Sequence, residues 1–189
     1  MDNPQINELI ETSSEDAIGI IQPLLSDNRN ILITGKPGTG KTFLANRLLE
    51  MNPRIRPMAY TMMAAQLIRG KTFHKRYHLP IPKYFLREPR QFINKQTVLY
   101  DEISNLSLDL FTTLFKLNGN KTNYILMGDS YQLPPVTGDP LFDFLDNERL
   151  GDPLELVRIE LTKNYRQKDS LYYQKILQDL RENGITSVL

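Results

Sequence analysis

A mostly parallel β-sheet with helices on both faces is what this 189-residue sequence predicts. Three observations carry that reading. Short apolar segments rich in β-branched residues alternate with amphipathic stretches of helical length, and such alternation builds strand-helix-strand units. A glycine-rich loop, Gly35-Lys36-Pro37-Gly38-Thr39-Gly40-Lys41-Thr42, lies directly between one of those strands and the next helix. The other polar motifs each follow the carboxyl end of an apolar run, where open α/β sheets bind their ligands.

The elements follow in order. Ser13-Ser14-Glu15-Asp16 caps a helix running to about Leu25. Asn30-Ile31-Leu32-Ile33-Thr34 has the apolar, β-branched character of a buried parallel strand. A helix is expected over residues 41–51, a strand over 55–60 and a helix over 62–69. Further strands are expected at 97–100, 124–128 and 157–161, with helices at 106–117, 140–147 and 169–182. No internal repeat or low-complexity segment interrupts this pattern, and residues 1–189 are long enough to close one core as a single domain.

Composition narrows the chemistry. With no cysteine and two histidines, disulfides and thiolate-bound metals are excluded and a zinc site is disfavoured. No apolar run approaches the roughly 18 residues of a membrane span, and Met1-Asp2-Asn3-Pro4 does not resemble a signal peptide. A soluble, cytoplasmic protein without a membrane partner is expected. Net charge is only +1, yet between Arg69 and Lys95 eight lysines and arginines face a single acid, Glu88. Phe73, Tyr77, Tyr84, Phe85 and Phe92 are interleaved with them. Cations for phosphates and rings for bases suit single-stranded nucleic acid, although a solvated face over core aromatics has the same composition.

The glycine-rich loop has the form of a nucleoside-triphosphate site. Its backbone N–H groups and the helix start after it converge on an anion. Lys41 then reaches the β- and γ-phosphates, and the Thr42 hydroxyl ligates Mg²⁺. Thr97-Val98-Leu99-Tyr100-Asp101-Glu102 ends an apolar strand in two carboxylates that strand alternation sends to different sides. Asp101 fits a Mg²⁺ ligand through water and Glu102 a general base for the attacking water. Taken alone, the pair also describes a helix cap or a solvated turn. Tyr124 through Val136 forms another apolar strand breaking into a loop, where the Gln132 amide is a candidate sensor of the γ-phosphate and equally a turn residue. Leu161-Thr162-Lys163-Asn164-Tyr165-Arg166-Gln167 places Arg166 after a strand, suited to a bidentate phosphate contact or simply to the surface.

In order and spacing, Gly35 to Thr42, Thr61-Met62-Met63-Ala64-Ala65, Gly70-Lys71-Thr72-Phe73-His74, Asp101-Glu102-Ile103-Ser104, Gly128-Asp129 through Pro135, and Leu161 through Gln167 resemble the first RecA-like domain of superfamily 1 helicases of the RecD, Dda and Pif type. The resemblance covers nearly the whole chain. It implies a RecA-like P-loop NTPase fold using ATP and Mg²⁺, with Lys41, Thr42, Asp101, Glu102, Gln132 and Arg166 around the γ-phosphate. It places Thr61, Thr72 and His74 on single-stranded DNA, with RNA left open. A basic insertion at about residues 72–96 takes the place of a strand-separating hairpin and adds Lys75, Arg76 and Lys83 to the contact. Such a domain acts in DNA replication, repair or recombination, in the cytoplasm, nucleoid or nucleus.

The departures are specific. Met62 stands where the family has glycine, and Asp16 aligns with a glutamine that reads adenine, with Gln5 and Gln22 out of register. No candidate appears for the arginine finger of a second RecA-like domain, which is therefore expected in cis or trans. A motor domain coupling ATP hydrolysis to translocation and unwinding is the leading reading. A nucleotide-gated nucleic-acid-binding module with little hydrolysis is the alternative, and a small-molecule phosphotransferase lacks a visible lid.

Overall fold

The computed structural model describes residues 9–79, 91, 96–119, 121–146, 154–165 and 178. Seven strands run through it: β1 (Leu9–Thr12), β2 (Asn30–Gly35), β3 (Ile55–Ala59), β4 (Lys71–Thr72), β5 (Gln96–Asp101), β6 (Thr122–Gly128) and β7 (Leu156–Leu161). The helices are α1 (Ala17–Ser26), α2 (Lys41–Met51), α3 (Met62–Leu67), α4 (Phe73–Tyr77), α5 (Leu108–Asn118) and α6 (Leu141–Leu145), with a 3₁₀ turn at Ile103–Asn105. The strands form one sheet in the order β1-β7-β2-β6-β5-β3-β4, every neighbouring pair parallel. Parallel pairing requires crossovers, and the helices that make them cover both faces.

Alternation along the strands divides the core. Ile31 and Ile33 of β2, Ile125 and Met127 of β6, and Val157, Ile159 and Leu161 of β7 face α1, α2 and α3. Leu32, Val98, Tyr100, Tyr124, Leu126 and Leu156 point the other way, toward α4, α5 and α6. Strands buried on both faces must be apolar at successive positions, which is why β2 reads as an unbroken hydrophobic run. Helix α2 buries Leu44, Ala45 and Leu48 in the first layer. Removing one such leucine side chain should cost about 2–5 kcal/mol.

The second layer contains a polar cluster. Tyr77 donates to Asn118 Oδ1 at 2.7 Å, and Asn118 Nδ2 donates to the phenol oxygens of Tyr100 at 2.8 Å and Tyr124 at 3.1 Å. Gln96 Nε2 also donates to Asn118 Oδ1, at 3.1 Å. Burial raises the pKa of all three tyrosines, so their hydroxyls stay protonated. A buried cluster satisfied in this way fixes one arrangement of α4, α5 and β5.

All the expected strands and helices within the described residues are present, with shifted ends. Helix α5 starts at Leu108 because the Ser107 hydroxyl accepts the Leu110 N–H at 3.3 Å and caps it. Helix α3 stops at Leu67, and Arg69 turns the chain with φ 51°. Three elements were not anticipated: edge strands β1 and β4, and helix α4 in the basic stretch. Phe73 and Tyr77 of α4 are fully buried, so these two rings of the expected base-stacking set belong to the core instead. Of the helix expected over 169–182 only Gln178 is described, and it is helical; the rest of that range, with Tyr84, Phe85 and Phe92, lies outside the described residues.

Candidate nucleotide and nucleic-acid site

The carboxyl ends of β2, β3, β5, β6 and β7 bring the polar motifs to one edge of the sheet. Gly35 ends β2, and Gly38 and Gly40 turn the loop with φ values of 88° and 89°. A side chain at Gly40 would be strained at that angle and would also place its Cβ 2.6 Å from Ser14 Oγ. The Thr39 hydroxyl donates to the Lys36 carbonyl at 2.9 Å, closing the loop on itself. Lys41, the first residue of α2, folds its ammonium back to donate to the carbonyls of Gly35 and, at 3.2 Å, Lys36. Its charge therefore sits inside the loop.

Asp101 ends β5 and is 5% exposed. Burial pushes its carboxyl up to about 6, helped by the neighbouring Glu102 charge and opposed by the Glu102 N–H, which donates to Asp101 Oδ1 at 2.9 Å, and by Lys41. Glu102 leaves the strand in the left-handed region (φ 55°, ψ 44°). This turn, rather than strand alternation, separates the two carboxylates. Glu102 Oε2 accepts from the Thr61 hydroxyl at 3.2 Å.

Gln132 lies in the loop after β6 and accepts through Oε1 from Ser104 Oγ at 3.1 Å. Its backbone N–H bonds the Asp129 carbonyl at 3.0 Å, so the loop returns toward the 3₁₀ turn that follows Glu102. After β7, the Tyr165 N–H donates to the Gly38 carbonyl at 2.8 Å and Asn164 Nδ2 to the Pro37 carbonyl at 3.2 Å. These contacts put the Leu161–Tyr165 segment against the phosphate loop; from this motif the sequence singled out Arg166, as a bidentate phosphate contact. Arg166 and Lys83 lie outside the described residues. Ser104, Asn164 and Tyr165 lay inside the sequence motifs without a role of their own, and Ser14 was read only as part of a helix cap, because a single hydroxyl or amide in a loop does not announce its partner.

Among the described residues, no three His, Cys, Asp or Glu side chains converge as a metal site. Thr42 and the buried carboxylate of Asp101 are hard oxygen donors, which suit Mg²⁺ only when phosphate oxygens and water complete its shell. Asp16 is exposed, and its Oδ2 accepts from Ser13 Oγ at 2.6 Å in the turn before α1.

Thr61 is exposed at the end of β3 and caps α3 by accepting the Ala64 N–H at 3.1 Å. Thr72 caps α4 in the same way from Lys75, at 3.3 Å. Because Phe73 and Tyr77 are buried one helical turn apart, α4 turns Lys75 outward, with His74 and Arg76 half-buried. His74 meets the Tyr60 ring edge-on at 6.4 Å. Met62, at the position where glycine was expected, is 57% exposed.

Residues 20–138 match a family model described as an AAA domain. The chain is 29% identical over 199 residues to the ATP-dependent DNA helicase Pif1 of Bdellovibrio bacteriovorus, covering 94% of this chain and 45% of that protein. It is 30% identical over 190 residues to human ATP-dependent DNA helicase PIF1, covering 89% and 29% respectively. The crystal structure of Pif1 helicase from Bacteroides in complex with ADP-AlF3 and ssDNA superposes with a TM-score of 0.68 at 25% identity, over 92% of this chain and 47% of that one. A second Pif1 structure, of DNA unwinding at forked dsDNA by two coordinating helicases, gives a TM-score of 0.70 at 23% identity over 100% and 50%. The chain thus spans less than half the length of these curated relatives.

Proposed function

The chain belongs to the AAA domain family and has the RecA-like fold of the Pif1 helicases it resembles, and from that premise we propose that it is the ATP-hydrolysing motor domain of a DNA helicase. The observation that carries this reading is the meeting of the phosphate loop with the acid pair: Gly35 ends β2 and Asp101 ends β5, parallel strands of one sheet with β6 between them, so both motifs open at the same edge.

In this reading the N–H groups of residues 35–42 and the Lys41 ammonium hold the triphosphate of ATP. Thr42 and Asp101 would hold Mg²⁺, which neutralises charge on the β- and γ-oxygens when bound. Lys41 exchanges the Gly35 and Lys36 carbonyls for phosphate oxygens, a stronger charge-assisted contact. Glu102 accepts a proton from the attacking water, and Gln132, near Ser104, orients that water against the γ-phosphate. Arg166, next in sequence after Tyr165, is the family's candidate for a bidentate contact to the γ-phosphate. Thr61, Thr72, His74, Lys75 and Arg76 hold single-stranded DNA across the edge formed by β3, β4 and α4, and Lys83 of the same basic segment adds a further cation to the contact. A second RecA-like domain, in cis or trans, supplies an arginine to the transferring phosphoryl group, a contribution of about 10³ to 10⁵ in rate in related phosphate-loop enzymes. Residues 1–189 are one domain in this scheme, with its basic segment over about 72–96.

Mg²⁺-dependent ATP binding and strand-stimulated hydrolysis test the proposal. Lys41→Ala should abolish or greatly weaken nucleotide binding, whereas Glu102→Gln should keep binding and lose turnover. Unchanged affinity in Lys41→Ala would overturn the reading.

A further inference from the structure

Thr61 and Glu102 are 41 residues apart in sequence, yet the Thr61 hydroxyl donates to the Glu102 carboxylate at 3.2 Å. The same hydroxyl accepts the Ala64 N–H through a lone pair. A hydroxyl carries one proton. It cannot be given to Glu102 and to a phosphodiester oxygen at once. Thr61 is exposed, flanked by the open side chains of Tyr60, Met62 and Met63, and the cationic face of α4 follows through the Tyr60–His74 contact. A strand laid along this face meets the hydroxyl that restrains Glu102.

We propose that Thr61 is a positioning residue for Glu102 that responds to the nucleic-acid strand. Without a strand, its hydroxyl tethers the carboxylate toward α3. A backbone phosphate arriving at Thr61 takes that hydrogen bond, and Glu102 is released to the attacking water. The inference rests on the reading of Glu102 as the water-activating base and of the Thr61 surface as the strand contact. Because tether and strand compete for one proton, the coupling is reciprocal: Glu102 weakens strand binding as Thr61 restrains hydrolysis.

A double-mutant cycle tests it without any turnover. Binding of a fluorescent oligothymidylate is measured in the absence of nucleotide for the wild type, Thr61→Val, Glu102→Ala and the double variant. Glu102→Ala should tighten binding about threefold to tenfold when Thr61 is present and should add nothing in the Thr61→Val background. The cycle cancels the lost cap on α3, which both valine proteins share. Equal tightening in both backgrounds would assign the effect to the removed charge and overturn the tether.

Hydrolysis supplies the second readout. Thr61→Val should raise strand-free kcat several-fold with little change in KM for ATP, and stimulation by the strand should shrink. Thr61→Ser, which keeps donor and acceptor, should restore the restraint. A wild type that hydrolyses and responds to strand, with no effect of Thr61→Val on strand-free kcat, overturns the tether alone. A wild type that neither binds oligothymidylate nor hydrolyses ATP overturns the motor reading and the tether with it.

Discussion

The phenol oxygens of Tyr77 and Tyr100 lie 2.6 Å apart inside the core, one at the end of α4 and the other one residue before Asp101. With Tyr77 donating to Asn118, the Tyr100 hydroxyl donates to Tyr77 and accepts from Asn118, so each proton has one destination.

Tyr77→Phe should therefore cost more than a lost surface hydroxyl. It leaves the Tyr100 proton without an acceptor and Asn118 Oδ1 with the Gln96 donor. The expected loss is about 1–3 kcal/mol, read as a lower urea midpoint with unchanged slope. Strand affinity should fall with it, since the same phenol docks the helix carrying His74, Lys75 and Arg76.

Asp101 should make the nucleotide-free protein less stable as pH rises. Its folded value of about 6 lies above the ordinary 3.8. Between those values the folded chain keeps a proton that the unfolded chain has released, so stability falls through that window and levels off above about 6. The loss is about 3 kcal/mol at most. Denaturation of the wild type and Asp101→Asn at pH 4.5 and 7.5 should show this component in the wild type alone. Mg²⁺-ATP selects the ionised carboxylate, so its affinity should weaken as pH drops below about 6.

Replacing Lys75, Arg76 and Lys83 together should weaken single-strand binding and flatten its salt dependence. Each phosphate contact contributes about 0.7 to the slope of log affinity against log salt for single strands, so the slope should drop by about 2. Nucleotide binding should persist. An unchanged slope at equal protein stability would assign these cations to solvent or to a protein partner.

Gly40→Ala should damage the phosphate loop beyond its size. The residue sits at φ 89°, and the new methyl would meet Ser14 Oγ at 2.6 Å. ATP affinity should fall at least about tenfold. Adding Ser14→Ala should recover only part of it, because the backbone angle remains unfavourable.

Much of this architecture was legible because burial on both faces writes itself into the chain. Ile31-Leu32-Ile33 and Ile125-Leu126-Met127 are apolar at every position, and the loop motifs follow their ends. Strand β1 was not legible: Leu9–Thr12 lies at the sheet edge, only half-buried on alternate residues, and four residues establish no period. Helix α4 was hidden by its charge. His74, Lys75 and Arg76 stand between its two core rings, and a five-residue helix shows only one turn of pattern. Within the site, residue types with one chemical use, such as Lys41 and the Asp101-Glu102 pair, were identifiable from order alone. The Thr61–Glu102 bond was not, because it depends on β3 lying beside β5 and on Glu102 adopting a left-handed turn.

Among the described residues, strand β1 pairs only with β7, Leu9 against Arg158, and β7 also closes the second side of β2. During synthesis the ribosome releases the first of these segments long before the other exists. Once β6 has emerged, β2 through β6 can associate, but the Asn30–Gly35 edge then stands open at what becomes the middle of the sheet. A nascent chain that has emerged past β6 but not yet through β7 exposes that apolar edge to other unfinished chains. Chaperone occupancy at that stage of translation should therefore govern how much of the protein reaches the folded state.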